Sequence, residues 1–309
     1  MNISVVIPVY NGQDTIVELV ERLGKVLPGI SESYETILVC DGSPDESWKV
    51  IEQLATKYPW VAGIQLMRNY GQHNALLCGI RAARYEVTVT LDDDLQNPPE
   101  EIPVLLKKLE EGYDVVFGVP KKMSQSWWRN ATSVLAKSAV SSVMGHKSIR
   151  DITSYRIFRT HIRQAFESYQ GPDLLLDILL TWGTDRFGTV PVDELPRTIG
   201  KSNYDMFKLV RMSLTLLTGY TTVPLRFASI LGFFFTVIGL FVLIYVLATY
   251  FIFGSEPGFP FLASAISIFS GVQLFALGIM GEYLARVFDR TNGRPTYQVL
   301  NTIGGVEQK

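Results

Sequence analysis

The stretch Glu86-Val87-Thr88-Val89-Thr90-Leu91-Asp92-Asp93-Asp94-Leu95-Gln96-Asn97-Pro98-Pro99-Glu100 frames the reading of the chain. Residues 86–91 form a β-branched, nearly apolar run that predicts a buried strand. Three consecutive carboxylates follow, and Pro98-Pro99 then opens a helical pattern over Pro99–Glu110. Strand, acidic turn and helix in that order make a βα unit whose turn lies at the strand's carboxyl end. Open α/β sheets bind their ligands there.

The same rhythm extends to both sides. Ile3–Val9, Glu35–Cys40, Val61–Leu66 and Tyr113–Phe117 read as strands, with helices over Asp14–Val26, Asp45–Lys57 and Gly71–Arg84. Near-continuous apolar strands between helices predict a doubly wound, mainly parallel, Rossmann-like sheet covered on both faces. Beyond residue 120 the pattern loosens. A helix over Trp127–Met144, a strand over Ile152–Phe158, a helix over Asp173–Trp182 and a late strand over Arg186–Val192 are expected.

Charge divides the chain more sharply than its averages do. Of 309 residues, 47% are hydrophobic and 19% charged, yet no charge falls between Arg226 and Glu256 or between Glu256 and Glu282. Phe227–Phe253 and Pro260–Gly281 are therefore each long enough to cross a bilayer, which takes about 20 apolar residues. The alternative is a helical hairpin buried in a large core. Tyr204–Tyr220 alternates apolar residues with Lys208 and Arg211, which suits a helix lying on a membrane surface or one packed on a core. The expected organisation is a catalytic domain over 1–202, an amphipathic region over 203–226, two spans over 227–285 and a tail over 286–309. Arg226 before the first span and Arg286, Arg290 and Arg294 after the second place both flanks in the cytoplasm.

Other classes fall away. A net charge of −2 with no basic cluster gives no footprint for nucleic acid. Cys40 and Cys78 lack metal-ligand spacing and suit a reducing compartment, and the first eight residues do not read as a signal peptide. Phosphate-cradling G-x-x-x-x-G-K-[ST] and dinucleotide G-x-G-x-x-G patterns are absent from the turns.

Chemistry concentrates at the expected strand ends. Three adjacent carboxylates repel one another unless a cation sits among them. A hard divalent ion that keeps substrate phosphates as its other ligands is the natural partner. A solvated acidic loop that caps the next helix is the alternative. Asp41, in Cys40-Asp41-Gly42-Ser43, reads in isolation as a turn residue, with an acceptor for a nucleobase or ribose as the alternative at a strand end of this sheet. Tyr10, closing the first strand, could stack on a base. His73, His146 and His161 share no spacing and read as ordinary positions.

Taken together, Val6-Ile7-Pro8-Val9-Tyr10-Asn11, Asp41-Gly42-Ser43, Arg68-Asn69-Tyr70-Gly71-Gln72 and Asp92-Asp93-Asp94-Leu95-Gln96-Asn97-Pro98-Pro99-Glu100 resemble family 2 glycosyltransferases of the GT-A fold. The resemblance covers essentially the whole chain and points to the polyprenyl-phosphate branch. That branch includes dolichol-phosphate mannose synthases and undecaprenyl-phosphate glucose and aminoarabinose transferases. It implies metal-dependent (Mg²⁺ or Mn²⁺), inverting transfer of a sugar from a nucleotide-sugar to a polyprenyl phosphate. The setting it implies is the cytoplasmic face of a bacterial inner membrane, and the two lone spans with their amphipathic collar suggest helix packing between protomers, as a dimer or tetramer.

The resemblance also implies roles for individual residues. Pro8, Tyr10, Asn11, Asp41, Arg68, Gly71, Asp92, Asp93 and Lys201 fall at the nucleotide-sugar, and Asp92, Asp94 and Gln96 at the metal. Arg129, Arg156 and Ser133 fall at the acceptor phosphate, so that Asp92, Asp94, Arg129 and Arg156 carry the reaction. Two departures stand out. Cys40 occupies a position that many members fill with an acid, and Ser154 one that some relatives fill with Asp. Asp151 is near but not aligned with it, so no catalytic base is named. A processive polysaccharide synthase is the enzymatic alternative, but its Gln-x-x-Arg-Trp element is scrambled in Gln125-Ser126-Trp127-Trp128-Arg129. An inactive membrane-tethered scaffold is the non-enzymatic alternative.

Overall fold

The computed structural model describes residues 1–121, 153–171, 174–195, 222–254, 258–293 and 295–305. The helices expected over 127–144 and 204–220 lie outside the described residues. So do Arg129, Ser133, Asp151 and Lys201.

Two compact units emerge: Met1–Asn203 with Arg294–Lys309, and Tyr204–Gly293. The first is built on strands β1 (Ile3–Val9), β2 (Tyr34–Cys40), β3 (Val61–Leu66), β4 (Val87–Thr90), β5 (Val115–Pro120), β6 (Arg156–Arg159), β7 (Phe187–Val192) and β8 (Val299–Ile303). They form one sheet in the order β7-β5-β6-β4-β1-β2-β3-β8. β3, β2, β1 and β4 run parallel, as do β5 and β7, whereas β6 is antiparallel to both β4 and β5, and β8 to β3. The expected mainly parallel α/β sheet is thus present, with two reversed strands inserted.

Helices α1 (Ile16–Val26), α2 (Ser47–Lys57), α3 (Gln72–Ala82), α4 (Ile102–Glu110) and α5 (Leu176–Gly183) cover it. The period-two alternation of a strand sorts its side chains between two cores. Val5, Ile7, Val9, Leu38 and Cys40 join α1, α2 and α4 on one face. Val6, Ile37 and Val39 join α3 and α5 on the other. Because β1–β4 are buried on both faces, their carboxyl ends are fixed rigidly, and the loops that leave them inherit that precision.

β8 is an element for which the sequence carried no clear sign. Its pattern, Val299-Leu300-Asn301-Thr302-Ile303, is short and half polar, typical of an edge strand. Asn301 donates to the Gln65 side chain at 2.9 Å, and the Arg81 guanidinium lies 5.6 Å from the Tyr297 ring centroid.

The second unit consists of α6 (Val223–Phe253) and α7 (Phe259–Thr291). Both are long and apolar enough to cross a membrane by length and composition, with mean hydropathies of 2.8 and 1.4 over their candidate spans. Their large side chains face outward: Phe233 is 72% and Phe251 81% exposed. Such exposure in water would be costly, since each large apolar side chain forgoes about 1.5–3 kcal/mol of burial. The helices touch through Phe235 and Phe269, edge to face at 6.3 Å.

Candidate active site

The parallel strands β3, β2, β1 and β4 deliver four loops to one end of the sheet. Pro8, Val9 and Tyr10 from β1, Asp41 after β2, Asn69, Gly71 and Gln72 after β3, and Asp92, Asp93 and Asp94 after β4 line a cleft of about 270 Å³. Sequence positions more than 80 residues apart thus meet because parallel strands all point their ends the same way. Of the residues expected at the nucleotide-sugar, Pro8, Tyr10, Asp41, Gly71, Asp92 and Asp93 are gathered here.

The loop after β1 is held from two sides. Asn11 and Gly12 donate backbone N–H groups to the Ser43 and Ser47 hydroxyls, each at 3.0 Å. The Tyr10 N–H donates to Asp93 Oδ2 at 3.2 Å. A Cβ at Gly12 would lie 2.4 Å from that same oxygen, so the carboxylate sits directly over the glycine. Asn11 itself adopts φ 56°, a left-handed conformation that asparagine tolerates. Tyr10 remains 48% exposed, its ring open to the cleft.

Asp41 is buried, and both of its oxygens serve the neighbouring loop. Oδ1 accepts the Tyr70 N–H at 2.7 Å and Oδ2 the Gly71 N–H at 2.8 Å. Burial raises its pKa, and these two bonds pull it back. The next residue, Gly42, has φ +62°, and a Cβ there would stand 2.3–2.4 Å from backbone atoms of Arg68 and Asn69. Only glycine permits this approach. Arg68 places its guanidinium 4.6 Å from the Tyr70 ring centroid. It is not among the residues lining the cleft.

The acidic triplet divides into distinct environments. Asp92 accepts from Gln72 Nε2 through Oδ1 at 2.5 Å and from the Ser154 hydroxyl through Oδ2 at 2.6 Å. Asp93, pinned by Tyr10, has its pKa pushed up to about 7, first by burial and then by the charges of Asp92 and Asp94. Asp94 Oδ1 accepts the Gln96 N–H at 3.2 Å, closing a local turn. Leu95, buried between them, has φ 61°. A left-handed leucine costs roughly 1–2 kcal/mol and marks a backbone held by its surroundings. One such hold is the Leu195 N–H, which donates to the Gln96 carbonyl at 2.9 Å. Gln96 is not among the cleft-lining residues.

A divalent cation fits this donor set. Asp92 and Asp94 present hard carboxylate oxygens to one cleft, and an ion such as Mg²⁺ is held by one or two carboxylates plus substrate phosphates. Among the described residues no group of three His, Cys, Asp or Glu forms a ready cage. Substrate phosphate oxygens and water are the other ligands such an ion takes.

Arg156, expected at the acceptor phosphate, is buried beside the sheet's interior. It sits on β6, only 1% exposed, paired with Asp177 of α5. The reason is topological: β6 is an interior strand, and Arg156 faces Thr90 across the β4–β6 ladder. It does not line the cleft. Sequence reading missed Asp177, which falls within a helical pattern and 21 residues away from its partner. Gln72 and Ser154 were quoted from the sequence, but not as ligands of Asp92.

Comparison with known proteins follows the same lines. The glycosyl transferase family 2 profile matches residues 4–167. Undecaprenyl-phosphate 4-deoxy-4-formamido-L-arabinose transferase from Proteus mirabilis is 36% identical over 98% of this chain and 94% of its own length. The protein of that name from Shewanella sediminis is 36% identical over 99% and 94%. Among solved structures, Mycobacterium tuberculosis glucosyl-3-phosphoglycerate synthase, in complex with Mn²⁺, UDP-glucose and phosphoglyceric acid, aligns with a TM-score of 0.50 at 18% identity. That alignment covers 70% of this chain and 77% of the synthase. Another mycobacterial protein reaches 0.52 at 19% identity, over 70% and 72%. These likenesses speak to the fold, a GT-A type α/β sheet.

Proposed function

The chain belongs to glycosyl transferase family 2 and is a glycosyltransferase, and from that premise we propose that it moves a sugar, with inversion, from a UDP-sugar to a polyprenyl phosphate such as undecaprenyl phosphate. The observation that carries this reading is the 36% identity to an undecaprenyl-phosphate sugar transferase, sustained over 98% of the chain. It therefore includes the apolar helices as well as the cleft.

In the proposed complex Tyr10 stacks on the base, and Pro8, Asp41 and Gly71 form the walls around the nucleoside, with Asn11 and Arg68 on the loops that carry Tyr10 and Gly71. Asp92 and Asp94 would hold the cation and diphosphate, Gln96 would support them through its N–H bond to Asp94, and Lys201 is proposed to serve the donor. When bound, a divalent cation supplies Lewis-acid neutralisation of the diphosphate that departs. The acceptor is a phosphate monoester, already ionised near neutral pH, so its oxygen attacks the anomeric carbon without a general base. What the protein must supply is in-line placement. Arg129 and Ser133 are proposed to grip the acceptor phosphate, since a guanidinium can bind it through two parallel N–H donors.

The membrane setting follows from the same reading. α6 and α7 are proposed to cross the bilayer once each. Strands on both sides of that pair in sequence, β3 and β8, are hydrogen-bonded in one sheet, which supports placing both flanks on one, cytoplasmic, face.

The test is a product screen. Detergent-solubilised protein is incubated with undecaprenyl phosphate, Mg²⁺ or Mn²⁺ and a panel of UDP- and GDP-sugars, and lipid products are read by mass spectrometry. A single glycosyl adduct that requires the cation is expected. Nucleotide binding without transfer from any donor would overturn the proposal in favour of a scaffold.

A further inference from the structure

Arg156 is among the largest fully buried side chains of the chain, and its partner Asp177 is only 13% exposed. Keeping an ion pair inside a sheet-and-helix layer is costly, and an apolar pair of similar size often serves stability as well or better. The pair therefore calls for an explanation beyond cohesion. Its hydrogen bonds supply one. Arg156 Nε donates to Thr90 Oγ1 at 3.1 Å and approaches the Ser154 carbonyl at 3.4 Å. Thr90 Oγ1 in turn donates to that carbonyl at 3.0 Å. The Ser154 hydroxyl then reaches Asp92 Oδ2.

The neighbouring residues tighten the same segment. Thr153 donates to the Gly118 carbonyl at 2.7 Å, and the buried Tyr155 hydroxyl donates to the Pro98 carbonyl at 3.0 Å. Residues 153–156 are thus fastened to β5, to β4 and to the loop after the acidic triplet. Of the cleft-lining carboxylates, this segment meets Asp92, through the Ser154 hydroxyl.

We propose that Arg156 and Asp177 are positioning residues that act through Thr90 and Ser154 to fix the Asp92 carboxylate for the metal-bound donor diphosphate, and that Arg156 does not bind the acceptor. Gln72 steadies the other oxygen of Asp92, so losing the Ser154 bond would loosen the carboxylate at Oδ2. This inference rests on the proposed donor role of Asp92. The two readings of Arg156 differ in which substrate suffers when the network is cut.

The experiment uses the full-length protein in detergent. Thr90→Val and Ser154→Ala cut the relay but keep the ion pair. The double variant Arg156→Met/Asp177→Leu removes the pair without leaving a lone buried charge. Folding is followed by melting temperature. Binding of UDP with Mn²⁺ is measured by calorimetry, and KM for the UDP-sugar and for undecaprenyl phosphate by steady-state kinetics. Each variant is expected to fold and to lose about tenfold in UDP–Mn²⁺ affinity, the effect of one hydrogen bond to a charged group. The donor KM should rise in step and the acceptor KM should stay unchanged.

A raised acceptor KM with unchanged UDP–Mn²⁺ affinity would overturn the proposal, and so would folded variants with wild-type binding. The UDP–Mn²⁺ titration needs no acceptor. If the wild-type protein binds donor but transfers nothing to a polyprenyl phosphate, the proposed acceptor fails while the network is still judged by binding alone. If it binds no UDP with Mn²⁺, both fall.

Discussion

Asp92, Asp93 and Asp94 are adjacent in sequence but differ in what surrounds them. Asp92 is set by two side-chain donors, and Asp93 is turned inward over Gly12 to hold the Tyr10 backbone. Asp94 accepts the Gln96 N–H in a short local turn and lines the cleft. Replacing Asp94 with Asn should lower transfer by a factor on the order of 10² to 10³ while melting temperature stays within about 2 °C. Full activity of the wild-type protein in EDTA would contradict the role of a cation. Gly42 offers a second residue-scale test. An alanine there must hold φ near +62° with its methyl against the Arg68–Asn69 backbone, so Gly42→Ala should destabilise by more than about 1–2 kcal/mol. Thermal melts check this, and an unchanged melting temperature would show that the 68–71 loop can retreat. The positions of these residues were legible from the sequence because continuous apolar strands announce where they end. The bonds between loops were not, since nothing local in Asp41 says that it meets Tyr70 and Gly71.

At the scale of elements, the interior strands and their helices follow from hydrophobic pattern, and the discrepancies have definite causes. β6 begins at Arg156 rather than Ile152, and a buried arginine in a strand contradicts any reading by polarity. β8 is stabilised by what it pairs with rather than by its own apolar content. Removing residues 295–309 should therefore lower the melting temperature by on the order of 5–10 °C and promote association through the uncovered β3 edge. Size-exclusion and thermal melts read both, and a truncated chain as stable and monodisperse as the whole would refute it. α3 supplies a pH-dependent test. Burial and the nearby Arg156 charge lower the His73 pKa, although Asp177 opposes them. The unfolded chain thus takes up a proton near pH ~6.5 that the folded chain resists. The stability that this histidine contributes is complete above about 6.5 and is lost as pH falls toward its folded pKa. Between about pH 6.5 and 5.5 the wild-type melting temperature should fall more steeply than that of His73→Gln. Parallel slopes would remove His73 as the cause.

For the whole molecule, composition separated a charged α/β unit from an apolar helical pair without any structural input, because spacing of charges is a long-range property that sequence displays directly. The protein should accordingly remain with the membrane fraction after alkaline carbonate extraction and need detergent for release. Recovery in the carbonate supernatant would rule out spanning helices. The place of β8 has a further consequence, for synthesis. Asn301 meets Gln65 across 236 residues of chain, and the apolar helical pair lies between them. At a translation rate of about 5–20 residues per second, the ribosome finishes β3 some ten to fifty seconds before β8 exists. Throughout that interval the nascent sheet presents an unpaired edge while, on the proposed topology, the helices are being delivered to the bilayer, so this stage of biogenesis is where a chaperone would matter most.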